Sequence, residues 1–112
     1  MAHYAASKAA LVGLTRTLAT ELGAHGIRVN LVAPTMVDTP MLHWDDAYRV
    51  FRPDLESPGL DDVRGVFASG HPLGVPWVEP IDVTEVVEWL VSDDARYITG
   101  AVVPVDAGAL IS

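Results

Sequence analysis

The sequence lacks several features that would each have pointed to a function. It contains no cysteine, which excludes disulfides and thiolate metal sites and makes a reducing, cytoplasmic setting the expected one. Basic residues are scarce: 7 Lys and Arg stand against 15 Asp and Glu, a formal net charge of -8. Such a surface opposes nucleic acid and anionic membrane as partners, because both attract cations. The acids are dispersed, with short pairs at Asp45-Asp46, Asp61-Asp62 and Asp93-Asp94 that read as solvated faces. No apolar run approaches the roughly 20 residues that span a bilayer, and the N-terminus lacks the basic and apolar regions of a signal peptide. There is no internal repeat or low-complexity segment. His3, His25, His43 and His71 show no metal-ligand spacing, so no metal is expected. Gly13 and the Gly23–Gly26 pair do not form a G-x-x-x-G-x-G phosphate loop after a strand.

What is present suits one α/β domain. The chain has 112 residues, half of them hydrophobic, enough for a core. Residues 3–23 read as a helix, with Leu11, Leu14, Leu18 and Leu22 forming a buried stripe. A second stripe, Ala6, Ala10, Gly13 and Thr17, is small enough for close approach of another helix. Gly23 and Gly26 are expected to end the helix. Residues 27–33 read as a buried parallel strand. Residues 34–80 hold seven of the eight prolines and read as a loop-rich section with short helices at 44–51 and 60–69. A helix over 81–92 follows, with Asp82 or Thr84 as N-cap and Val83, Val86, Val87, Leu90 and Val91 buried. A strand over 101–105 is entered through Gly100. Strand, helix and strand in that order imply a parallel crossover.

Chemistry concentrates in two stretches. Tyr4 and Lys8 lie four residues apart, hence on one helix face one turn apart. A phenol has a reference pKa of about 10, and a neighbouring cation favours its phenolate. The pair can therefore move a proton to or from an alcohol or carbonyl oxygen. The second stretch, Pro34-Thr35-Met36-Val37-Asp38-Thr39-Pro40-Met41, directly follows a strand, where open parallel sheets bind ligands. The aromatic and apolar content of the loop section (Met41, Leu42, Trp44, Tyr48, Phe51, Phe67, Trp77) opposes disorder. It suits a lid over an apolar ligand, or a packed excursion that touches none.

Tyr4-Ala5-Ala6-Ser7-Lys8-Ala9-Ala10-Leu11-Val12-Gly13-Leu14-Thr15, with Gly26-Ile27-Arg28-Val29-Asn30, Ala33-Pro34 and Tyr97-Ile98-Thr99-Gly100 through Gly108, resembles the second half of a classical short-chain dehydrogenase/reductase. The resemblance covers nearly the whole chain. Within that family, Pro34-Thr35 with Val37 through His43, Tyr48 through Glu56, and Pro76-Trp77-Val78-Glu79-Pro80 is most similar to the mycofactocin-coupled, carveol-dehydrogenase-like branch.

The resemblance implies the C-terminal part of a doubly wound parallel-sheet (Rossmann-type) fold, with 34–80 as a substrate-binding loop region. It implies NAD as cofactor and interconversion of a secondary alcohol and a ketone, the substrate hydrophobic or terpene-like. Tyr4 would be the acid/base and Lys8 its partner on the nicotinamide ribose. Pro34, Thr35, Val37 and Thr39 would join them in holding the cofactor, with Val37 and Thr39 on the carboxamide. Met41, Leu42, Trp44 and Trp77 would line the substrate site. A homo-oligomer packed through the first helix is also implied. Thr35 stands where the family often has Gly, which raises the question of its backbone angle. The phosphate loop, the acidic ribose reader and the catalytic serine would precede Tyr4, so residues 1–112 alone are expected to be inactive and prone to self-association. The alternative expectation is a non-catalytic remnant or oligomerisation module of the same fold.

Overall fold

Alanine and leucine dominate the first helix, and both favour helix intrinsically. In the computed structural model, which describes residues 1–111, α1 runs over Ala2–Leu22. A 3-10 turn, Gly23–His25, closes it. Gly26 terminates the run in the left-handed region, at φ 71°, and its N–H reaches the Gly23 carbonyl. Gly23 itself stays right-handed, at φ -57°, so only one of the two expected glycines uses its freedom.

The buried stripe of α1 differs from the leucine pattern. Thr15 and Ala19 are buried, Leu18 and Leu22 half-buried, and Leu11 and Leu14 exposed. At 3.6 residues per turn, Leu14 lies about 100° around the helix from Thr15. Leu11 belongs to the N-terminal half, in which every residue from Met1 to Leu11 is exposed.

Strand β1 is Leu31–Pro34 and strand β2 is Val102–Val105, adjacent in a two-stranded sheet. Gly100 N–H bonds the Val29 carbonyl, and Leu31 N–H bonds the Ala101 carbonyl. Both partners advance together, so the pairing is parallel. The strand is shorter than the expected 27–33. Val29 N–H goes to the Thr99 hydroxyl instead of a carbonyl, so regular pairing starts only at Leu31. Both strands are half-buried, not buried on two faces.

Helices α2 (Asp45–Phe51), α3 (Leu60–Ser69) and α4 (Pro80–Val91) fall where the pattern predicts them. The starts of α3 and α4 follow one device. Asp62 accepts the Gly59 N–H at 2.8 Å, and Asp82 accepts the Glu79 N–H at 2.8 Å. A carboxylate in the first turn thus reaches back to an N–H that the helix leaves unpaired. Asp82 is therefore inside α4 and not its N-cap, and Thr84 bonds the Pro80 carbonyl. On α4, Leu90 is buried and Val83 and Val86 half-buried, while Val87 and Val91 are exposed.

The chain divides into two units, Met1–Ala33 with Glu85–Pro104 and Pro34–Thr84 with Val105–Ser112. The second unit largely coincides with the loop-rich section. It holds a core of Tyr48, Val63 and Phe67, with Met36, Leu42, Leu60 and Trp77 packed on it. Phe51 meets Phe67 edge-on at 4.7 Å between ring centroids. Among the described residues, no helix is long and apolar enough to cross a membrane.

Candidate active site

Tyr4 and Lys8 stand on the exposed N-terminal half of α1. The Lys8 Nζ lies 5.5 Å from the Tyr4 ring centroid, so the two side chains share one face as the four-residue spacing requires. Tyr4 is 53% exposed. Ser7 turns its hydroxyl back to the Tyr4 carbonyl at 2.7 Å. This leaves the phenol and the ammonium as the polar groups directed outward from this turn.

In the second unit, the stretch after β1 is held by a parallel bridge between Val37 and Val78. Val78 N–H bonds the Met36 carbonyl, and Asp38 N–H bonds the Val78 carbonyl, both at 3.0 Å. In this geometry the polar groups of residues 36 and 38 face Val78, and those of Val37 face the other way. The Thr39 hydroxyl joins Val37 on that side, donating to its carbonyl at 3.3 Å. The result is an N–H, a carbonyl and a hydroxyl gathered on one side of a short extended segment.

Thr35 resolves the question raised by its position. Among the described residues the one non-glycine with positive φ is Ala107, so Thr35 carries no left-handed strain. Its hydroxyl lies 2.8 Å from Nε2 of His71, which is buried. His71 Nδ1 is 2.7 Å from the Val75 carbonyl. A carbonyl only accepts, so Nδ1 carries the proton and, in the neutral ring, Thr35 donates to Nε2. Pro34 is exposed and Val37 half-buried.

The four expected substrate-lining residues separate into two pairs. Leu42 and Trp77 pack on the Tyr48–Val63–Phe67 core, and the Arg64 guanidinium sits 4.8 Å from the Trp77 ring centroid. Met41 and Trp44 are exposed, and Trp44 occupies the N-cap position of α2.

Three groupings had no counterpart in the sequence reading. His43 is hydrogen-bonded through Nε2 to the Asp38 carboxylate and through Nδ1 to the Tyr48 hydroxyl at 2.7 Å. In the first unit, Arg28 donates to the carbonyls of Ile98 and Ser92, and Asn30 both donates to the Ile98 carbonyl and accepts from Ala101 N–H. An open groove of about 510 Å³ there is lined by Gly26, Arg28, Val29, Asn30, Val32, Val87, Leu90 and Val91. Its two polar side chains are thus already committed to the 92–101 segment. Finally, Asp106 accepts from the N–H groups of Gly108 and Leu110. The described residues contain no group of three His, Cys, Asp or Glu able to hold a metal.

The family model described as enoyl-(acyl carrier protein) reductase matches residues 1–109. The (-)-trans-carveol dehydrogenase of Rhodococcus erythropolis is 49% identical over 111 residues, covering 99% of this chain and 40% of that protein. The crystal structure of carveol dehydrogenase from Mycobacterium avium in complex with NAD superposes with a TM-score of 0.96 at 50% identity, covering 99% of this chain and 40% of that one. A 4-hydroxyisoleucine dehydrogenase complexed with NADH gives a TM-score of 0.75 at 32% identity, covering 99% of this chain and 39% of that one. The chain spans about 40% of the length of the curated relatives it matches.

Proposed function

Because the chain belongs to the short-chain dehydrogenase/reductase family, we propose that it supplies the proton-transfer and carboxamide-binding part of an NAD-dependent oxidoreductase. The reaction is the interconversion of a secondary alcohol and a ketone. The observation that carries this reading is the Tyr4–Lys8 pair, with Lys8 Nζ 5.5 Å from the phenol ring and both groups exposed on one face of α1. Tyr4 exchanges a proton with the substrate oxygen, and Lys8 places a positive charge beside the phenol ring.

The residues present fit NAD. A primary carboxamide offers both donors and an acceptor, and Val37 N–H, Val37 C=O and the Thr39 hydroxyl present the complementary set on one side of the chain. Thr35 and Pro34 shape the entry to that segment, and Lys8 together with Tyr4 would hold the nicotinamide ribose. When bound, NAD supplies the hydride acceptor for the alcohol carbon. The exposed Met41 and Trp44 would give the substrate side an apolar face, with Leu42 and Trp77 packed on the core, which favours a hydrophobic, terpene-like alcohol. The 49% identity to a carveol dehydrogenase supports that class, and a mycofactocin-coupled role in the cytoplasm follows the same resemblance. The exposed small residues Ala6, Ala10, Gly13 and Thr17 favour a homo-oligomer packed through α1.

The test is Tyr4→Phe in the full-length protein, which removes one hydroxyl from an exposed position. Turnover of a hydrophobic secondary alcohol with NAD should fall about 10²–10⁴-fold, the usual contribution of a general acid/base, with the melting temperature unchanged. Near wild-type turnover overturns the assignment.

A further inference from the structure

We propose that His43 is a positioning residue for NAD: it ties the Val37–Thr39 segment to α2 through the Asp38–His43–Tyr48 chain. This inference rests on the cofactor reading above. Three observations support it.

The first is connectivity. The segment from Met36 to Asp38 is fixed along one edge by the backbone of Val78. That contact leaves the side chain of Asp38 to set the tilt of the residues after it. Its carboxylate is hydrogen-bonded to His43 Nε2, and Leu42 N–H bonds the Thr39 carbonyl at 2.9 Å. The turn 38–43 is thus closed by both a side-chain and a backbone bond.

The second is direction. Carboxylate oxygens only accept, so Nε2–H donates to Asp38. Nδ1 of the neutral ring is then an acceptor, and Tyr48 donates to it. Nε2–H to Asp38 fixes the tautomer of the neutral ring, and the two bonds hold the ring in one orientation.

The third is anchorage. Tyr48 is 8% exposed and belongs to the core. The His43 ring also meets Trp77 edge-on, at 5.4 Å between centroids. A half-exposed turn is therefore tied to the buried core of the second unit. Such outer contacts hold the groups that touch a ligand in their working geometry.

The experiment measures steady-state kinetics on the full-length protein. His43→Leu should raise the KM for NAD about tenfold while kcat changes less than threefold, since the contact orders a binding segment and not the reacting atoms. Asp38→Ala removes the other end of the same bond from a half-exposed position, and should give the same rise. The double variant should be no worse than either single one, because both break one path. His43→Gln offers one donor and one acceptor and should recover most of the NAD affinity. Unchanged KM for NAD in His43→Leu and Asp38→Ala, with only the melting temperature lowered, overturns the inference and leaves the cofactor reading standing. Additive effects in the double variant overturn it as well. A wild-type protein that neither retains NAD on purification nor binds added NAD in a direct titration overturns the cofactor reading, and this inference with it.

Discussion

The two units of the chain differ in how they achieve order. The first, built from α1, β1, β2 and most of α4, holds the regular elements and the Tyr4–Lys8 pair, yet its buried residues are few and mostly small: Thr15, Ala19, Leu90 and Ala95. The second has irregular sequence and only short helices, yet it contains the aromatic core and both histidine-centred hydrogen-bond chains. Regular secondary structure satisfies the backbone locally, so it does not require burial. A proline-rich segment has to fix its turns with side chains, and here Tyr48, Phe67, His43 and His71 do so. The Tyr4–Lys8 pair therefore sits on the thinly packed unit, while Val37 and Thr39 are held by the densely packed one.

The largest expected effect comes from removing the aromatic centre of the second unit. Phe67 is 2% exposed, and Phe67→Ala should cost about 3–5 kcal/mol, a large part of a total stability of about 5–15 kcal/mol. Leu14→Ala in the first unit, at a residue 53% exposed, should stay within about 0.5 kcal/mol. Urea denaturation of the two variants checks the comparison, and equal losses would break it.

Two glycines sharpen it at intermediate size. A Cβ at Gly108 would stand 2.9 Å from Pro72 Cγ, and Gly108 has φ +89°. Gly108→Ala should therefore destabilise by about 1–3 kcal/mol. At Gly13 a Cβ meets nothing within 4 Å, so Gly13→Ala should stabilise α1 by about 0.5–1 kcal/mol. Opposite shifts in melting temperature are the expected result.

How far these contrasts were legible in the sequence follows from their range along the chain. The helices at 44–51 and 60–69 appear as α2 and α3 because period and capping are local. The strand expected over 27–33 loses its first residues because Val29 and Asn30 find partners about 70 positions away, at Thr99, Ile98 and Ala101. The leucine stripe misplaced the buried face of α1, since periodicity names a face without saying where along the helix the cover lies. The aromatic loop was read with two outcomes, and Leu42 and Trp77 pack in the core while Met41 and Trp44 do not. His43 and His71 had no signal at all. The partners of His43 lie five residues away on either side, and those of His71 lie 36 and four residues away, at spacings that match no repeat.

The smallest expected effect is electrostatic. Arg52 makes a two-pronged contact with Asp54, at 2.8 and 2.7 Å. The hydrogen bonds from Arg52, helped by a backbone hydrogen bond and least by the Arg52 charge, hold the Asp54 carboxyl below the usual carboxylate range. A depressed folded value means the contribution is present above the unfolded pKa and is lost as pH falls through the folded one. Both groups are in water, so salt should screen most of it. A carbon-detected NMR titration should give Asp54 a midpoint below the ordinary aspartate value of about 3.9, moving toward that value in Arg52→Gln. An identical midpoint in the two proteins would refute the pairing.

The side-chain bonds of Arg28 and Asn30 to Ser92, Ile98 and Ala101 also bear on how the chain is made. During synthesis, residues 1–33 leave the ribosome well before the segment that completes their unit. About 70 further residues must follow, which at roughly 5–20 residues per second takes about 4–14 s. Through that interval α1 can form, but β1 has no β2 to pair with, and the guanidinium of Arg28 has no carbonyls to bind. The intervening stretch contains the whole Tyr48–Val63–Phe67 core, so the later-made unit can settle first and bring the ends of the earlier one together. A released chain ending at residue 91 should therefore protect the amides of 60–69 from exchange while leaving those of 29–34 open.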